Sequence, residues 1–510
     1  MALISSVVSW LMKKRVHQIE LFKLYPHEVQ SEVLKKLLST SKETEWGRKY
    51  DFDSITSGNI FAERIPVSDY DGLKPYIDRL RSGEQNILWP TEIKWFAKSS
   101  GTTAGKSKFI PVSYEALDEC HFKAGKDMLA LYCLNYPDTN LFEGKNLAMG
   151  GSHTIREVNN ESYYDGDLSA ILMQNLPFWA EFLRTPNLSV ALMDEWESKI
   201  EKLALVTSRE DVTSIAGVPS WTLLLIHKIL EITGKSDLSE IWPNLEVFFH
   251  GGVSFQPYRE QFHDLIRSPR MNYMETYNAS EGFFGIQDQI DSESMLLMLD
   301  YGIYYEFIPF DELEKEYPKV LSLEQVEKGK NYAVVISTNG GLWRYKIGDM
   351  IMFTDLTPYR FRITGRTKSF INAFGEELIV DNADKALAIA CSKTNAVIRE
   401  YTAAPVYFSG NQRGAHEWLI EFEREPDELE FFIEALDNAL KSLNSDYEAK
   451  RYHNMILAEP LVRKIPNQTF YEWLKSKNKL GGQNKVPRLS NHRELINEVL
   501  TIARQLGYHE

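Results

Sequence analysis

Segments with helical and with strand periodicity alternate over the first two-thirds of the chain, and this alternation most limits the folds open to it. Val29, Val33 and Leu37 recur at the spacing of one helix face. Residues 245–249 form a short apolar run that ends in glycines, as a buried strand does. Alternating helices and strands pack as helices against a sheet. The sequence therefore predicts the α/β class with a mixed sheet.

The same reading gives the individual elements. We expect helices over 1–50 with a break at Pro26, over 114–134, and over 199–234 with a break at 217–219. We expect strands on both sides of a glycine-rich turn in 93–112, at 245–249 and 271–277, and in hairpins over 295–310 and 332–354.

A chain of 510 residues is too long for one core and predicts more than one folding unit. A boundary is expected near 364–368. Beyond it we predict a compact α+β unit, with a helix and then the start of a strand in 379–398, helices in 426–444 and 491–506, and strands at 406–408 and 417–422. The expected domains are a large α/β domain over 1–365 and a smaller, mobile α+β lid over 366–510.

The charge of the chain limits its partners. The formal net charge is −15 and no basic run is present. General nucleic-acid binding requires clustered Lys and Arg, so a nucleic-acid partner is not expected. The negative charge of a polyphosphate ligand would have to be balanced locally, by a few Lys or Arg side chains directed at it, by backbone N–H groups or by Mg²⁺.

The cysteines and the N-terminus indicate the compartment. Cys120, Cys133 and Cys391 are far apart and odd in number, which fits a reducing cytoplasm rather than a disulfide framework. The apolar stretch 3–12 is too short to span a membrane, and its positive charges follow it, the reverse of a secretory signal. We expect a packed amphipathic helix there rather than the alternative, a membrane anchor, and with it cytoplasmic localisation and no membrane partner.

The segment 99–108 concentrates hydroxyl groups, glycines and lysines, as phosphate-binding loops do. Three residues separate Gly101 from Gly105, whereas a P-loop needs four, and 108–112 reads as a strand rather than a helix. The alternative is a solvated hairpin turn. The composition favours phosphate binding by Ser99, Ser100, Gly101, Thr102, Thr103, Gly105 and Lys106.

Two further motifs are weaker when taken singly. In 277–282 an aromatic residue precedes small polar residues and a carboxylate. The aromatic ring could stack on a nucleobase and the carboxylate could bind Mg²⁺. The alternative is that the segment is only the capped start of a helix. In 343–349 an Asp follows a glycine at a strand end, where it could accept both ribose hydroxyls or only complete a turn.

Together and in this order, the motifs resemble the adenylate-forming ligases. The nearer resemblance is to the acyl acid amido synthetases, the auxin- and jasmonate-conjugating enzymes of plants and their bacterial relatives. It rests on 99–103, 277–282, 344–349 and the loop 483–488, and it runs from about residue 15 to the C-terminus. Lys346 and Asn484 depart from the family pattern, and the hinge 365–368 is closer to the wider superfamily.

The resemblance implies roles for individual residues. Glu281 is expected to bind Mg²⁺ and Lys485 to reach the α-phosphate of ATP during adenylation. The other expected ATP contacts are Ser99 to Lys106 at the phosphates, Tyr277 and Ser280 near the adenine, Gly252 and Val253 along adenine or acyl group, Asp349 at the ribose, and Arg366 at the hinge.

The implied reaction activates a carboxylic acid as an acyl-adenylate and transfers the acyl group to an amine, expected to be an amino acid. An acyl-CoA ligase is the alternative enzyme, and a non-catalytic acyl or nucleotide sensor is the alternative of another class. The aromatics flanking the motifs could line an acyl slot, although core packing explains each one singly: Phe178, Trp179, Trp221, Phe255, Phe283 and Phe284. The histidines show no metal-ligand spacing.

Overall fold

The fold is described from a computed structural model of the chain. It divides into two compact units, an N-terminal unit (1–253, 263–347 and 351–362) and a C-terminal unit (254–262, 348–350 and 363–510). No helix in the described part of the chain is long and apolar enough to cross a membrane. The described residues are 14–99, 108–176, 178–193, 195–252, 255, 258–313, 315–367, 369–371, 373–374, 376, 378–406, 414–451, 457–477, 479–480 and 485–509.

The strands are numbered in chain order. They are β1 Trp95–Ser99, β2 Lys108–Val112, β3 Lys145–Ala148, β4 His153–Val158, β5 Glu161–Gly166, β6 Arg184–Thr185, β7 Val212–Gly217, β8 Val247–Gly251, β9 Asn272–Ala279, β10 Gly282–Ile286, β11 Met295–Leu297, β12 Ile303–Pro309, β13 Leu321–Ser322, β14 Asn331–Thr338, β15 Tyr345–Leu356, β16 Tyr359–Arg366, β17 Phe370–Ile371, β18 Leu378–Ile379, β19 Val397–Val406, β20 Ala415–Arg424 and β21 Leu461–Lys464.

The described part of the predicted helical region 1–50 is mostly helical, whereas residues 1–13, with the expected packed helix at 3–12, lie outside the described residues. Residues 14–24 are helical, and Pro26 opens the next helix at a position where its missing N–H costs nothing. The helices are Pro26–Ser41, Glu45–Lys49, Gly58–Arg64, Tyr70–Arg81, Lys123–Asn135, Leu168–Gln174, Leu188–Ala191, Trp196–Thr207 and Pro219–Thr233, with a π-helix at Ala116–Phe122 and 3₁₀ turns at Phe52–Ser54, Phe178–Leu183, Leu238–Glu240, Phe310–Glu312 and Leu323–Gln325. A further helix, Arg259–Leu265, begins in the segment 254–262 of the C-terminal unit and ends in the N-terminal unit.

A twelve-stranded mixed sheet, in the order β13-β12-β14-β15-β16-β11-β10-β9-β8-β7-β3-β6, confirms the predicted class. Strands β6, β3, β7, β8 and β9 run parallel to one another. The carboxyl ends of β3, β7, β8 and β9 therefore meet at one edge, the edge where open α/β sheets bind ligands.

Two sequence predictions in this sheet were wrong. The expected helix over 199–234 is interrupted by β7, because the β-branched run from Val212 to Ile215 is buried between parallel neighbours and takes strand geometry. The expected hairpin over 295–310 does not form: β11 pairs with β10 and β16, whereas β12 pairs with β13 and β14. The segment 332–354 does supply neighbouring strands, β14 and β15.

A separate four-stranded sheet has the order β2-β1-β5-β4. Its strands β1 and β2 pair antiparallel, as expected for the flanks of the glycine-rich turn. Strand β5 lies parallel to β1 on its other side.

The C-terminal unit is α+β, as predicted. Strands β19 and β20 are antiparallel, and β21 lies parallel to β20. The strand start predicted at the end of 379–398 and Val406 of the predicted strand 406–408 both belong to β19, which runs from Val397 to Val406, and residues 407–408 lie outside the described residues. Its helices are Val380–Thr394, Leu429–Leu443, Ser445–Arg451, Thr469–Ser476 and Glu494–Gln505.

Candidate active site

The predicted phosphate loop is held at both ends by paired strands. Ser99, the last residue of β1, is half-buried and pairs with Lys108, the first residue of β2. The antiparallel register brings the two ends of the loop side by side. The remaining predicted loop residues, Ser100, Gly101, Thr102, Thr103, Gly105 and Lys106, lie outside the described residues.

Strand β8 delivers Gly251 and Gly252 to the ligand edge of the large sheet. A Cβ atom at Gly251 would lie 2.3 Å from the carbonyl oxygen of Thr276 on β9, so any side chain there would break the strand pairing. Gly252 has a φ of +83°, in the region that favours glycine. The glycines thus let the chain turn sharply at the end of β8. Val253 lies outside the described residues.

Strand β9 carries Tyr277 to the same edge. The residue is only 5% exposed. Its ring centroid lies 4.8 Å from that of Phe284 and 6.0 Å from that of Phe361. The aromatic face predicted for a nucleobase is therefore also part of the core.

A tight turn between β9 and β10 presents Ser280 and Glu281. Ala279 pairs with Gly282 across the turn. Glu281 is half-buried. Ser280 is buried, and its hydroxyl has no hydrogen-bond partner among the described residues. The next strand is anchored from the π-helix, because the backbone N–H of Phe283 donates to Sγ of Cys120 at 3.2 Å.

The arginine of the third motif is fixed inside the N-terminal unit. Arg344 is 4% exposed and forms a two-pronged ion pair with Glu306 on β12, with Nε–Oε2 2.8 Å and Nη2–Oε1 2.9 Å. Its Nη1 donates to the carbonyl oxygens of Ala62 and Ile65. Arg344 therefore anchors the start of β15. No local sequence pattern predicted Glu306 as the partner of Arg344, since the two residues are 38 positions apart in the sequence.

Asp349 and Arg366 form an ion pair within the C-terminal unit, with Arg366 Nε 3.0 Å from Asp349 Oδ1. The Asp349 side chain is 19% exposed. Gly348, with a φ of +90°, accepts a hydrogen bond from the backbone N–H of Thr367 at 2.9 Å. The structure thus brings together two sequence-predicted residues beside the segment 365–368.

The segment carrying Lys485 is attached to the edge of β19. Ala403 N–H donates to the carbonyl of Arg488 at 2.8 Å, and Ser490 N–H donates to the carbonyl of Ala403 at 3.0 Å. The hydroxyl of Thr402 donates to the carbonyl of Pro487 at 2.8 Å. This strand-like attachment fixes the backbone just after Lys485.

Arg488 adds a side-chain anchor to that segment. It pairs with Glu400, stacks over the ring of Tyr401 with 4.7 Å to the centroid, and donates to the hydroxyl of Tyr258 at 3.2 Å. Tyr258 belongs to the short segment 254–262 that groups with the C-terminal unit. The sequence analysis did not assign this segment to the C-terminal unit, because residues 263–347 of the N-terminal unit separate it from the rest of that unit.

The surroundings of Lys485 lower the pKa of its side chain. Burial among protein atoms and, to a smaller extent, the positive charge of Arg366 lower the pKa of Lys485 from 10.5 to about 8, against the opposing effect of Asp349. Lys485 keeps an exposed surface, so solvent partly screens these effects. The sequence-predicted residues Lys485, Arg366 and Asp349 therefore interact electrostatically within one unit.

The aromatics suggested for an acyl slot are mainly core residues. Phe283 and Phe284 are buried on β10, and Phe284 packs on Tyr277 and Tyr305. Phe255 is buried against Phe262. Trp221 is half-buried on the helix that follows β7, and the side chains of Phe178 and Trp179 lie outside the described residues.

Comparison with known proteins places the chain in a family. The profile of the GH3 family N-terminal domain matches residues 15–271, that of the central domain matches 296–366, and that of the C-terminal domain matches 381–494. The indole-3-acetic acid-amido synthetase GH3.3 of Arabidopsis thaliana is 25% identical over 539 residues, which cover 90% of this chain and 89% of the relative.

Solved structures agree on the fold. The GH3.15 acyl acid amido synthetase in complex with 2,4-DB matches with a TM-score of 0.79 at 17% identity and covers 96% of each chain. A 2-hydroxyisobutyryl-CoA ligase in its postadenylation state matches with a TM-score of 0.58 at 12% identity, covering 93% of this chain and 91% of the ligase. Motifs, architecture and family profiles agree over most of the chain, which belongs to the GH3 family.

Proposed function

We propose that this protein is an ATP-dependent acyl acid amido synthetase, which adenylates a carboxylic acid and transfers the acyl group to an amino acid. The family membership and the names of its relatives, such as the indole-3-acetic acid-amido synthetase, support the reaction class. The observation that carries the proposal is the interacting set of Asp349, Arg366 and Lys485 in the C-terminal unit. Such a set offers an acceptor for a ribose and a cation for a phosphate.

We assign the ATP contacts as follows. An ionised Asp349 can accept hydrogen bonds from both ribose hydroxyls, since it has two acceptor oxygens. Arg366 holds Asp349 in place and touches ribose or phosphate. The phosphates lie under the loop from Ser99 to Lys106, and the adenine lies by Tyr277, Ser280, Gly252 and Val253.

Glu281 is the proposed Mg²⁺ ligand. The described residues contain no group of three or more His, Cys, Asp or Glu side chains placed to hold a metal. Mg²⁺ in nucleotide sites is commonly held by one or two carboxylates, substrate phosphates and water. A single half-buried carboxylate at the turn after β9 fits that donor set. When bound, the ion would offset negative charge on the phosphates.

In the first half-reaction a carboxylate oxygen attacks the α-phosphorus, and the bond from that phosphorus to the pyrophosphate oxygen breaks. This brings negative charges together. The Lys485 ammonium supplies a compensating charge at the α-phosphate, and a well-placed group of this kind is worth about 3 kcal/mol in the transition state.

In the second half-reaction the amine nitrogen forms a bond to the acyl carbon and loses a proton, while AMP leaves with the electrons of the broken C–O bond. Lys485 is not needed at the phosphate in this step. We propose that the C-terminal unit rotates after adenylation, so that the amine can reach the acyl-adenylate.

An amino acid is favoured over coenzyme A as the acceptor. A CoA ligase needs a basic patch for the 3′-phosphate. Arg344 is buried against Glu306 and cannot serve. In the lysine-rich end of the helix Thr469–Ser476, Lys477 pairs with Glu498 at 2.8 Å and Lys475 lies 3.9 Å from Glu472. These carboxylates balance the positive charge of the two lysines, which are therefore poorly suited to bind the 3′-phosphate of CoA. The separate, undisulfided cysteines suit a reducing compartment such as the cytoplasm.

A pyrophosphate-release screen tests the proposal. Carboxylic acids are supplied with ATP and Mg²⁺, alone and crossed with each amino acid or with CoA, and the products are identified by mass. Acid-dependent pyrophosphate release with amide formation is expected. Formation of a thioester without any amide would show that CoA, not an amino acid, is the acceptor. If no acid causes pyrophosphate release, the proposed enzymatic function is wrong and a non-catalytic binding protein is favoured.

A further inference from the structure

His121 is a buried polar side chain outside the set of residues assigned to the proposed reaction. It lies on the π-helix Ala116–Phe122 and is 6% exposed. Burial lowers the pKa of its imidazole to about 4, so the ring is neutral near pH 7. Its Nδ1 has no hydrogen-bond partner among the described residues. An unmet polar atom in a core costs free energy, so its retention calls for an explanation.

The position of this helix supplies one. Single π-helical turns recur at functional sites. Cys120, the neighbour of His121, accepts the N–H of Phe283, which lies two residues beyond Glu281. The same turn holds Ser280, whose buried hydroxyl also has no partner in the described part of the chain. The π-helix that carries His121 thus contacts the strand that follows the turn presenting the proposed Mg²⁺ ligand.

We propose that His121 binds the carboxylate of the acyl acid, with its Nδ1–H donating a hydrogen bond that holds the acid for attack on the α-phosphate. The proposal rests on the adenylation reaction argued above. A neutral donor suits this task, because it orients the carboxylate without cancelling the charge that makes it a nucleophile. A lysine or arginine at this position would form an ion pair and weaken that nucleophile.

The test uses the full chain with benzoate, indole-3-acetate and 2,4-DB, of which the acid giving the fastest pyrophosphate release is taken forward. His121→Phe should raise the KM for that acid by about 10- to 100-fold and leave the KM for ATP unchanged. The thermal midpoint should stay the same or rise, since the variant removes a buried polar atom that lacks a partner. His121→Asn keeps an N–H donor and should recover part of the acid affinity.

His227→Phe is the matched control, because His227 is an exposed histidine on the helix Pro219–Thr233 and should alter neither KM. An active wild type whose His121→Phe variant keeps the KM for the acid would overturn the role of His121 and leave the proposed function intact. A wild type inactive with all three acids, and with every acid of the wider screen, would remove the proposed function and this inference together.

Discussion

Arg344 and Glu306 form a buried, two-pronged ion pair that joins the start of β15 to β12, with both side chains almost fully enclosed. Arg344 adopts a φ of +43°, a conformation uncommon outside glycine, and its guanidinium also meets the carbonyls of Ala62 and Ile65. The motif that leads to Asp349 therefore starts from a fixed point in the N-terminal unit. Its arginine secures the strand rather than the nucleotide.

Glu306→Gln should destabilise the N-terminal unit by about 3–5 kcal/mol, because it leaves the Arg344 charge buried without its counterion. Urea unfolding followed by tryptophan fluorescence measures the loss. Glu327→Gln is the control, since Glu327 pairs with Lys330 on the surface and should leave the midpoint unchanged. Equal midpoints for wild type and Glu306→Gln would contradict a stabilising role for the pair.

Lys485→Ala should abolish acid-dependent ATP–pyrophosphate exchange and leave the thermal midpoint unchanged. The residue is exposed, so little packing is lost, whereas the cation proposed for the α-phosphate disappears. The variant should still convert a supplied acyl-adenylate to amide. Lys475→Ala, another exposed lysine of the same unit, is the control and should retain exchange. Wild-type exchange in Lys485→Ala would refute the assignment of Lys485.

The pH dependence of adenylation should report the lowered pKa of Lys485. The ammonium is charged below its pKa, so kcat/KM for ATP should decline as the pH rises through about 8, well before an ordinary lysine near 10.5 would titrate. Arg366→Gln removes a neighbouring positive charge and should move this decline to higher pH. A profile that is flat up to pH 10, or one that Arg366→Gln leaves in place, would count against the electrostatic coupling.

Asp349→Ala should weaken ATP binding by about 10- to 100-fold, measured by calorimetry, because a charged acceptor for the ribose is lost. Tyr277 should behave differently. Tyr277→Ala should mainly destabilise the core, by about 3–5 kcal/mol, since its ring packs against Phe284 and Phe361. Tyr277→Phe keeps that packing and serves as the control. Unchanged ATP affinity in Asp349→Ala would move the ribose site elsewhere.

The buried Glu376–His416 pair should make the C-terminal unit sensitive to acid. Glu376 Oε1 lies 2.7 Å from His416 Nε2. Desolvation raises the pKa of Glu376, but the hydrogen bond and charge of His416 outweigh it and hold the pKa below 4.5. A carboxylate whose pKa is lower in the folded than in the unfolded protein stabilises the fold at pH values above its unfolded-state pKa. That stabilisation is lost as the pH falls through the folded-state pKa.

Glu376→Gln should therefore be less stable than wild type at pH 7, and the difference should shrink as the pH drops below about 4.5. Urea midpoints measured between pH 7 and pH 3 provide the comparison. A difference that stays constant over this range would show that the Glu376 carboxylate is not charged in the folded protein.

Local patterns predicted much of the fold, because helix periodicity and short apolar runs are set by burial of one face or both. Pro26, the strands around 99–108 and the helix before 398 follow from such patterns. Strand β7 was missed, since a short buried run between two helices resembles a helix segment. The hairpin at 295–310 failed because strand pairing depends on topology, which sequence spacing does not encode.

The candidate site shows the same division. The motifs indicated Asp349, Arg366 and Lys485, and these interact in the structure. Their supports were invisible beforehand: Glu306 for Arg344, and Tyr258 for Arg488, are distant in sequence and belong to no motif. The missing partner of His121 could not be predicted either, because burial without hydrogen bonding is a property of the packed structure.

The C-terminal unit takes its short segments 254–262 and 348–350 from far upstream of its main part, which starts at 363. During synthesis these pieces leave the ribosome before the strands they join exist, so Tyr258 must wait for Arg488, made 230 residues later. Chain growth proceeds at roughly 5–20 residues per second, so the delay lasts on the order of ten seconds or more. A truncated chain that ends near 362 would expose both segments without their partners, and should need chaperone protection that the finished protein does not.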